Sequence, residues 1–246
     1  YEITASDWSS DVCSSDLNEG VSKSVVFGFP WKSTVNFMKH NDYVIESVLK
    51  YPERLIGFCT FDPLSPDAPK EAERCLNAGL AGVGELAVYY SDFSSKIISG
   101  MRELMALCAE RDVPVLVHAN EPIGHIYPGK QPMSLAGLYE FIKAYPSNRI
   151  VLAHWGGAIF FYELMKKEVG EALSNVWYDT AASPYLYRPD IYLISGGIIG
   201  YKRVLFGSDY PLIAPGRYIK EMDSTGLSQE AIRMITGENA LTVLNF

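Results

Sequence analysis

Positive charge is scarce in this chain: 21 Lys and Arg face 29 Asp and Glu, for a formal net charge of −8. That balance argues against nucleic acid or an anionic membrane surface as a partner. Cysteine is scarce too. Cys13, Cys59, Cys75 and Cys108 lie far apart and form no Cys-x-x-Cys, so neither a disulfide framework nor a dithiol redox motif is expected, and a reduced, cytoplasmic setting is. No apolar run approaches the ~18 residues of a membrane span. No charged segment leading into an apolar one opens the chain, as a secretory signal would. Dinucleotide binding lacks its Gly-x-Gly-x-x-Gly, because the first recognisable strand runs into Gly28-Phe-Pro-Trp31. The run Ser195–Gly200 has no strand before it and reads as a helix-ending loop, not a phosphate cradle.

What the chain does have is apolar content, 48% over 246 residues, enough for one large core. From Asn18 onward, short apolar runs at Ser24–Phe29, Leu55–Phe61, Gly82–Leu86, Val115–Ala119, Ile150–Ala153, Val176–Asp179 and Val204–Ser208 read as buried strands. Helical periodicity separates them, over Asp42–Tyr51, Ala68–Ala78, Ile97–Arg111, Met133–Tyr145, Phe160–Leu173 and Pro189–Ile199. Strands alternating with helices pair in parallel. Strand starts roughly 25 to 35 residues apart in a chain of this length predict an α/β fold of the (β/α)8 TIM-barrel type. The closing stretch Ser228–Phe246 is helical, with Gly237-Glu-Asn-Ala as a cap between two short helices.

Seven strands are found where a closed barrel has eight. The missing one is expected first, because Asn18-Glu-Gly20 reads as the end of a helix that a strand should precede. That place holds Asp7-Trp-Ser-Ser-Asp-Val-Cys-Ser-Ser-Asp-Leu17, which has neither helical nor strand periodicity. At all of its positions it resembles the conceptual translation of a common sequencing-adapter oligonucleotide. Residues 1–17 are therefore expected to be a non-native segment and residues 18–246 a single barrel domain whose first strand is missing or replaced. Such a chain is expected to aggregate more readily than its parent, since two strands lose a partner.

Three strands run straight into a residue of metal-ligand type: Val115-Leu-Val-His118, Ile150-Val-Leu-Ala-His154 and Val204-Leu-Phe-Gly-Ser-Asp209. In a parallel barrel the C-terminal strand ends share one rim, so polar residues there converge from distant parts of the sequence. With only four histidines in the chain, two of them so placed are informative. Two imidazoles and a carboxylate suit a divalent cation, Zn2+ being the first choice.

Together, Val-Leu-Val-His118, Ala-His154-Trp-Gly-Gly157, Leu-Phe-Gly-Ser-Asp209-Tyr-Pro211 and Gly237-Glu-Asn-Ala-Leu-Thr-Val-Leu resemble the amidohydrolase-related metal-dependent hydrolases of TIM-barrel fold. That branch also includes zinc decarboxylases acting on aromatic and semialdehyde acids. The resemblance spans about residues 18 to 246 and implies one or two divalent metal ions. It makes His118 a metal ligand, Asp209 a carboxylate that contacts both metal and attacking water, and His154 either a second-metal ligand or the general acid/base. Glu85, following Gly82-Val-Gly84 on the same rim, either bridges two metals or orients a ligand or substrate from behind. The family's His-x-His pair on the first strand has no counterpart. The one histidine upstream, His40 beside Asn41-Asp42, reads as a surface residue at a helix entry.

In the loop Asn120–Lys130, His125 would orient substrate, ligate weakly or pack the loop. Trp155 would wall the site. Arg188 and Arg217 could take a substrate carboxylate bidentately, or lie solvated. The expected function is hydrolysis of a small amide, lactone or ester, with Asp209 accepting the water proton and His154 stabilising the oxyanion or protonating the leaving group. One alternative is non-oxidative decarboxylation on the same rim. The other, motivated by the absent His-x-His, is a barrel that binds a ligand without catalysis. The intact parent is expected to be the enzyme, this chain being metal-poor and inactive, with a small-molecule substrate and a second copy of itself as partners.

Overall fold

The computed structural model describes residues 18–127 and 129–245. The adapter-like run and the expected place of the first strand lie outside the described residues. Seven strands, β1 (Ser24–Val26), β2 (Leu55–Cys59), β3 (Gly82–Leu86), β4 (Pro114–Val117), β5 (Arg149–Leu152), β6 (Val176–Asp179) and β7 (Val204–Leu205), pair in chain order. Every pairing is parallel. Helices connect them: α1 (Thr34–Lys50), α2 (Ala68–Asn77), α3 (Ser95–Gly100), α4 (Arg102–Glu110), α5 (Leu135–Ala144), α6 (Lys167–Leu173), α7 (Ser183–Leu186) and α8 (Ile191–Ile199). Then α9 (Pro215–Ser224), α10 (Gln229–Arg233) and α11 (Asn239–Leu244) end the chain. Among the described residues β1 and β7 are the sheet edges, and no helix is long and apolar enough to cross a membrane.

The pleat sorts side chains into two cores. On β4, Val115 and Val117 pack outward under the helices while Leu116 faces the other way; on β6, Val176 and Tyr178 go outward and Trp177 inward. The inward set, with Phe58, Val151 and Leu205, is joined by Val243 of α11. Arg149, at the start of β5, ties this cap down by donating to the Val243 carbonyl at 2.6 Å. The C-terminal helix therefore closes the N-terminal end of the strands. Their C-terminal ends stay open to one another.

Several elements depart from the expected bounds, each for a local reason. Helix α1 begins eight residues before the expected Asp42, because the buried stripe Phe37, Asn41, Val44 and Ser47 keeps helical spacing from its first turns. The expected helix Ile97–Arg111 is two, α3 and α4, parted at Met101. Met234–Glu238 is a π-helical turn leading directly into α11, so Gly237-Glu-Asn-Ala is helical throughout and not a cap between helices. Ser228 and Ser134 cap α10 and α5 by accepting from Ala231 N and Gly137 N.

Behind the sheet, Glu71 of α2 is buried and accepts from Asn41 Nδ2 at 2.9 Å and from Arg74 at 2.8 Å. Burial alone would raise its carboxyl, but the bonds from Arg74 and Asn41 outweigh burial and hold it below the usual range. A carboxylate held down in the folded state contributes stability above the unfolded Glu pKa of ~4.3, and that contribution disappears as pH falls through the lower folded value. Glu71→Gln is therefore expected to cost about 1–3 kcal/mol near neutral pH, as for hydrogen bonds to a charged group. Urea titrations of both proteins should show the gap closing as the pH drops below ~4. A gap that stays constant down to acid would mean that Glu71 acts by shape alone.

Candidate metal centre

His118 follows β4 two residues after the inward-facing Leu116, so the strand's alternation turns its ring to the same concave side. On the neighbouring strand the β3–β4 register shifts between Val83 and Leu86, and Glu85 lies in that irregularity. His118 Nδ1 stands 2.8 Å from Glu85 Oε1. His154, directly after β5 and Ala153, places Nε2 at 3.8 Å from the same oxygen, and the two imidazole centroids are 5.0 Å apart. One donor atom from each of the three side chains lies within 4.8 Å of the other two.

The hydrogen bonding dictates the tautomers. A carboxylate only accepts, so Nδ1 of His118 carries a proton in the contact with Glu85; in the neutral ring the lone pair is then on Nε2, an atom buried without a hydrogen-bond partner. His154 Nδ1 lies 3.0 Å from the Ala181 carbonyl, so it too carries the proton and its Nε2 presents a lone pair. Two unclaimed imidazole lone pairs beside a carboxylate are the donor set that a divalent cation takes, and the residues fit such an ion. The Glu85 carboxyl is held below its ordinary range: the His118 hydrogen bond, and the attraction of His118 and His154 in their protonated forms, outweigh the burial that would raise it. Conversely, burial would lower His118, but Glu85 and Asp209 overcome it and raise the ring. Tyr89, whose ring centroid is 5.8 Å from that of His118, is pushed up to about 12 by burial and by the Glu85 and Asp209 charges. It is a neutral phenol at the site. Phe29 stacks on Tyr89 at 5.6 Å, and Trp31 lies 5.1 Å from Phe29, so an aromatic line runs outward from His118.

The site is supported from below by a buried polar chain. Arg74 and Glu71 are joined to Asn41, whose Oδ1 accepts from Thr60 N at 2.9 Å; Thr60 Oγ1 donates to the Gly84 carbonyl at 2.6 Å, one residue before Glu85. Asn120, two residues after His118, accepts from Gln131 N at 2.7 Å and folds the following loop back on itself.

Asp209 is placed on the rim but outside the three-residue group. It is exposed, has φ 56°, and is electrostatically coupled to His154, Glu85 and His118. His125 is exposed in its loop, near Tyr127, with its carbonyl accepting from Lys130 Nζ. Trp155 is fully buried, packed against Tyr192 and Phe160, and donates from Nε1 to Ser183 Oγ at 2.6 Å. Arg188 is exposed and paired with Asp190. Arg217 lies over the Tyr185 ring at 5.1 Å and 3.9 Å from Glu221. His40 sits in the second turn of α1, exposed, because that helix starts at Thr34.

Asp179 was not among the residues the sequence pointed to. It ends β6 two residues after the inward-facing Trp177, is buried, and its Oδ1 accepts from His154 N and Ala181 N at 2.9 Å each. Burial pushes its carboxyl up to about 6, against the pull of His154 and the Ala181 N–H. The signal was available: Val-Trp-Tyr-Asp179 is a strand running into an acid, the same pattern as for the two histidines.

A search of curated proteins finds no match. The sequence model of the family described as Amidohydrolase matches residues 18–246. Among solved structures, a 5-carboxyvanillate decarboxylase from Sphingomonas paucimobilis aligns with a TM-score of 0.72 at 16% identity, over 95% of this chain and 82% of that one. A putative amidohydrolase from Staphylococcus aureus aligns with a TM-score of 0.71 at 20% identity, over 96% and 91%. A dihydroxybenzoic acid decarboxylase from a Polaromonas species, with bound manganese and 2-nitroresorcinol, aligns with a TM-score of 0.68 at 16% identity, over 97% and 85%. At these identities the likeness establishes the fold: a TIM-barrel-type sheet, here with seven described strands.

Proposed function

Because this chain belongs to the amidohydrolase family, we propose that it is a metal-dependent enzyme that removes the carboxyl group of a small organic acid without an oxidant, in place of the metal-poor, inactive chain expected from sequence. The observation that carries this reading is the Glu85–His118–His154 group with two imidazole lone pairs open beside one carboxylate. Its preference over the hydrolysis expected from sequence is supported by decarboxylases among the structural neighbours and by the aromatic line from His118 through Tyr89 and Phe29. Glu85 offers the third donor that a chain without His-x-His would otherwise lack.

Glu85, His118 and His154 would hold the ion, Zn2+ or Mn2+. Bound there, a divalent cation supplies Lewis acidity towards substrate oxygens. The neutral phenol of Tyr89 and the exposed face of Phe29 would receive the substrate's apolar body. Asp209, on the rim and outside the ligand group, would supply the proton: the C–C bond breaks, carbon dioxide leaves, and the carbon keeps the electron pair and takes the proton from Asp209. Under the hydrolytic alternative the same carboxylate would accept a proton from water.

The test is to load the metal-free protein with Zn2+ or Mn2+, confirm the stoichiometry by elemental analysis, and offer hydroxybenzoates beside a panel of lactones, esters and cyclic amides in D2O. The expected result is carbon dioxide release with one deuterium on the vacated carbon. Turnover confined to the second panel, with no carbon dioxide, would replace decarboxylation by hydrolysis.

A further inference from the structure

The five residues Asp179-Thr-Ala-Ala-Ser183, at the end of β6, touch both of their neighbours on the rim. Towards β5, Asp179 Oδ1 accepts from His154 N, the Ala181 carbonyl accepts from His154 Nδ1, and Ser183 Oγ accepts from Trp155 Nε1. Towards β7, Thr180 Oγ1 donates to the Gly207 carbonyl at 2.8 Å and accepts from Gly207 N at 3.0 Å. Asp179 Oδ1 also accepts from Ala181 N. One carboxylate oxygen thus fixes the backbone of His154 and, at the same time, the carbonyl-bearing residue that fixes the His154 ring.

His154 needs such fixing. The run His154-Trp155-Gly156-Gly157-Ala158 has φ between 53° and 68° throughout, a left-handed turn of five residues. Two glycines adopt it freely, but in His154, Trp155 and Ala158 it crowds the Cβ against the backbone carbonyl, so these three are strained. A strained backbone persists only where its surroundings over-determine it. The Asp179 bond to His154 N falls at the first residue of the turn, where the chain leaves β5 and the side chain that would hold a metal is aimed.

We infer that Asp179 is a positioning residue: it holds the left-handed entry at His154 and, through Ala181, keeps the His154 proton on Nδ1 so that Nε2 faces Glu85. The carboxylate works here as an acceptor for two N–H groups, not as a ligand and not through its charge. The inference rests on the reading of His154 as a metal ligand, but half of its test needs no metal.

Two variants separate the roles. Asp179→Asn keeps an oxygen for the two N–H groups and removes the charge; Asp179→Ala removes both. In the metal-free protein, 15N shifts of the imidazoles, assigned among the four histidines by single substitutions, should show His154 in the Nδ1–H tautomer in wild type and Asp179→Asn, and as a tautomer mixture in Asp179→Ala. Titration with Zn2+ should then show Asp179→Asn within a few-fold of wild type, and Asp179→Ala weaker by about 10- to 100-fold, the range for loss of a partner that orients a ligand, with circular dichroism unchanged. Loss of Zn2+ by Asp179→Asn equal to that of Asp179→Ala would overturn the inference, since charge would then be the operative property. So would a wild-type protein whose His154 carries its proton on Nε2, a result that does not depend on any variant folding. A wild type that binds no Zn2+ yet shows the expected tautomers would sink the metal reading and leave the positioning role standing.

Discussion

Changing His118 to Ala is expected to leave the protein folded and unable to hold a metal. Three effects act together. The change removes one imidazole from a donor set of three. It removes the N–H that holds Glu85 at 2.8 Å, so the carboxylate is free to swing away from His154 Nε2. It also leaves Glu85, whose side chain keeps 20% of its surface, without the partner whose hydrogen bond and charge hold it ionised. Loss of a surrounding partner costs ~10- to 100-fold in metal affinity. Loss of a ligand together with the orientation of a second should exceed ~100-fold on the same scale, and turnover should fall to background. Glu85→Gln is the informative companion. A Gln oxygen still accepts from His118 Nδ1, so the geometry is kept while the negative charge is lost. Zn2+ or Mn2+ titration with elemental analysis of the eluted protein gives the answer. If His118→Ala retained stoichiometric metal at wild-type affinity, the Glu85–His118–His154 group would not be the site.

The parts of this site that could be read from sequence are those governed by strand periodicity. His118 follows Val115-Leu-Val, where a period of two and a short apolar run fix both the strand and the side the next residue faces. The same reasoning would have reached Asp179, at the end of β6, had the pattern been applied to acids as evenly as to histidines; Glu85, inside β3, escapes it, because strict alternation from the outward-packed Val83 would turn it outward and the register shift between Val83 and Leu86 brings it to the rim. Trp155 shows where periodicity stops. Adjacent to His154 in sequence, it reads as a wall of the site. The left-handed turn instead carries its ring into the core against Tyr192 and Ser183, and five consecutive positive φ values have no hydrophobic period to announce them. Only Gly156-Gly157 hints at the turn.

Arg188 and Arg217 fail to be legible for a related reason. Both follow strand ends, but their directions are set by loop contacts, the Asp190 pair and the Tyr185 ring, that no spacing rule encodes. Asp209 lies between these cases. Its motif puts it on the rim, and β7 does end nearby, but pairing stops at Leu205, on a strand that is an edge of the sheet among the described residues, so the path from strand to carboxylate is one that the strand does not dictate.

Gly84→Ala is expected to be among the most damaging single-methyl additions in the molecule. Gly84 has φ +132°, a conformation that residues with a Cβ rarely adopt, and a Cβ built on it would lie 2.3 Å from the Leu116 carbonyl oxygen and 2.8 Å from Leu116 Cβ. Leu116 cannot retreat, because β4 is flanked on its other side by β5, with Leu116 in register with Val151. Backbone strain of about 1–3 kcal/mol and overpacking of about 1–3 kcal/mol together reach about 2–6 kcal/mol, a large share of the ~5–15 kcal/mol that stabilises a typical domain. The damage should also be functional. Glu85 follows Gly84 and His118 follows Leu116 by two, so spreading β3 from β4 at this point separates the pair that stands at 2.8 Å. Gly197→Ala, on α8 with nothing within 4 Å of the place its methyl group would take, is the control; it should be neutral or gain a few tenths of a kcal/mol, as alanine exceeds glycine in helix propensity. Urea unfolding with metal titration of both variants would decide the matter. Wild-type stability in Gly84→Ala with full metal loading would mean that the two strands approach less closely than this, and that Glu85 is held by something other than the β3–β4 contact.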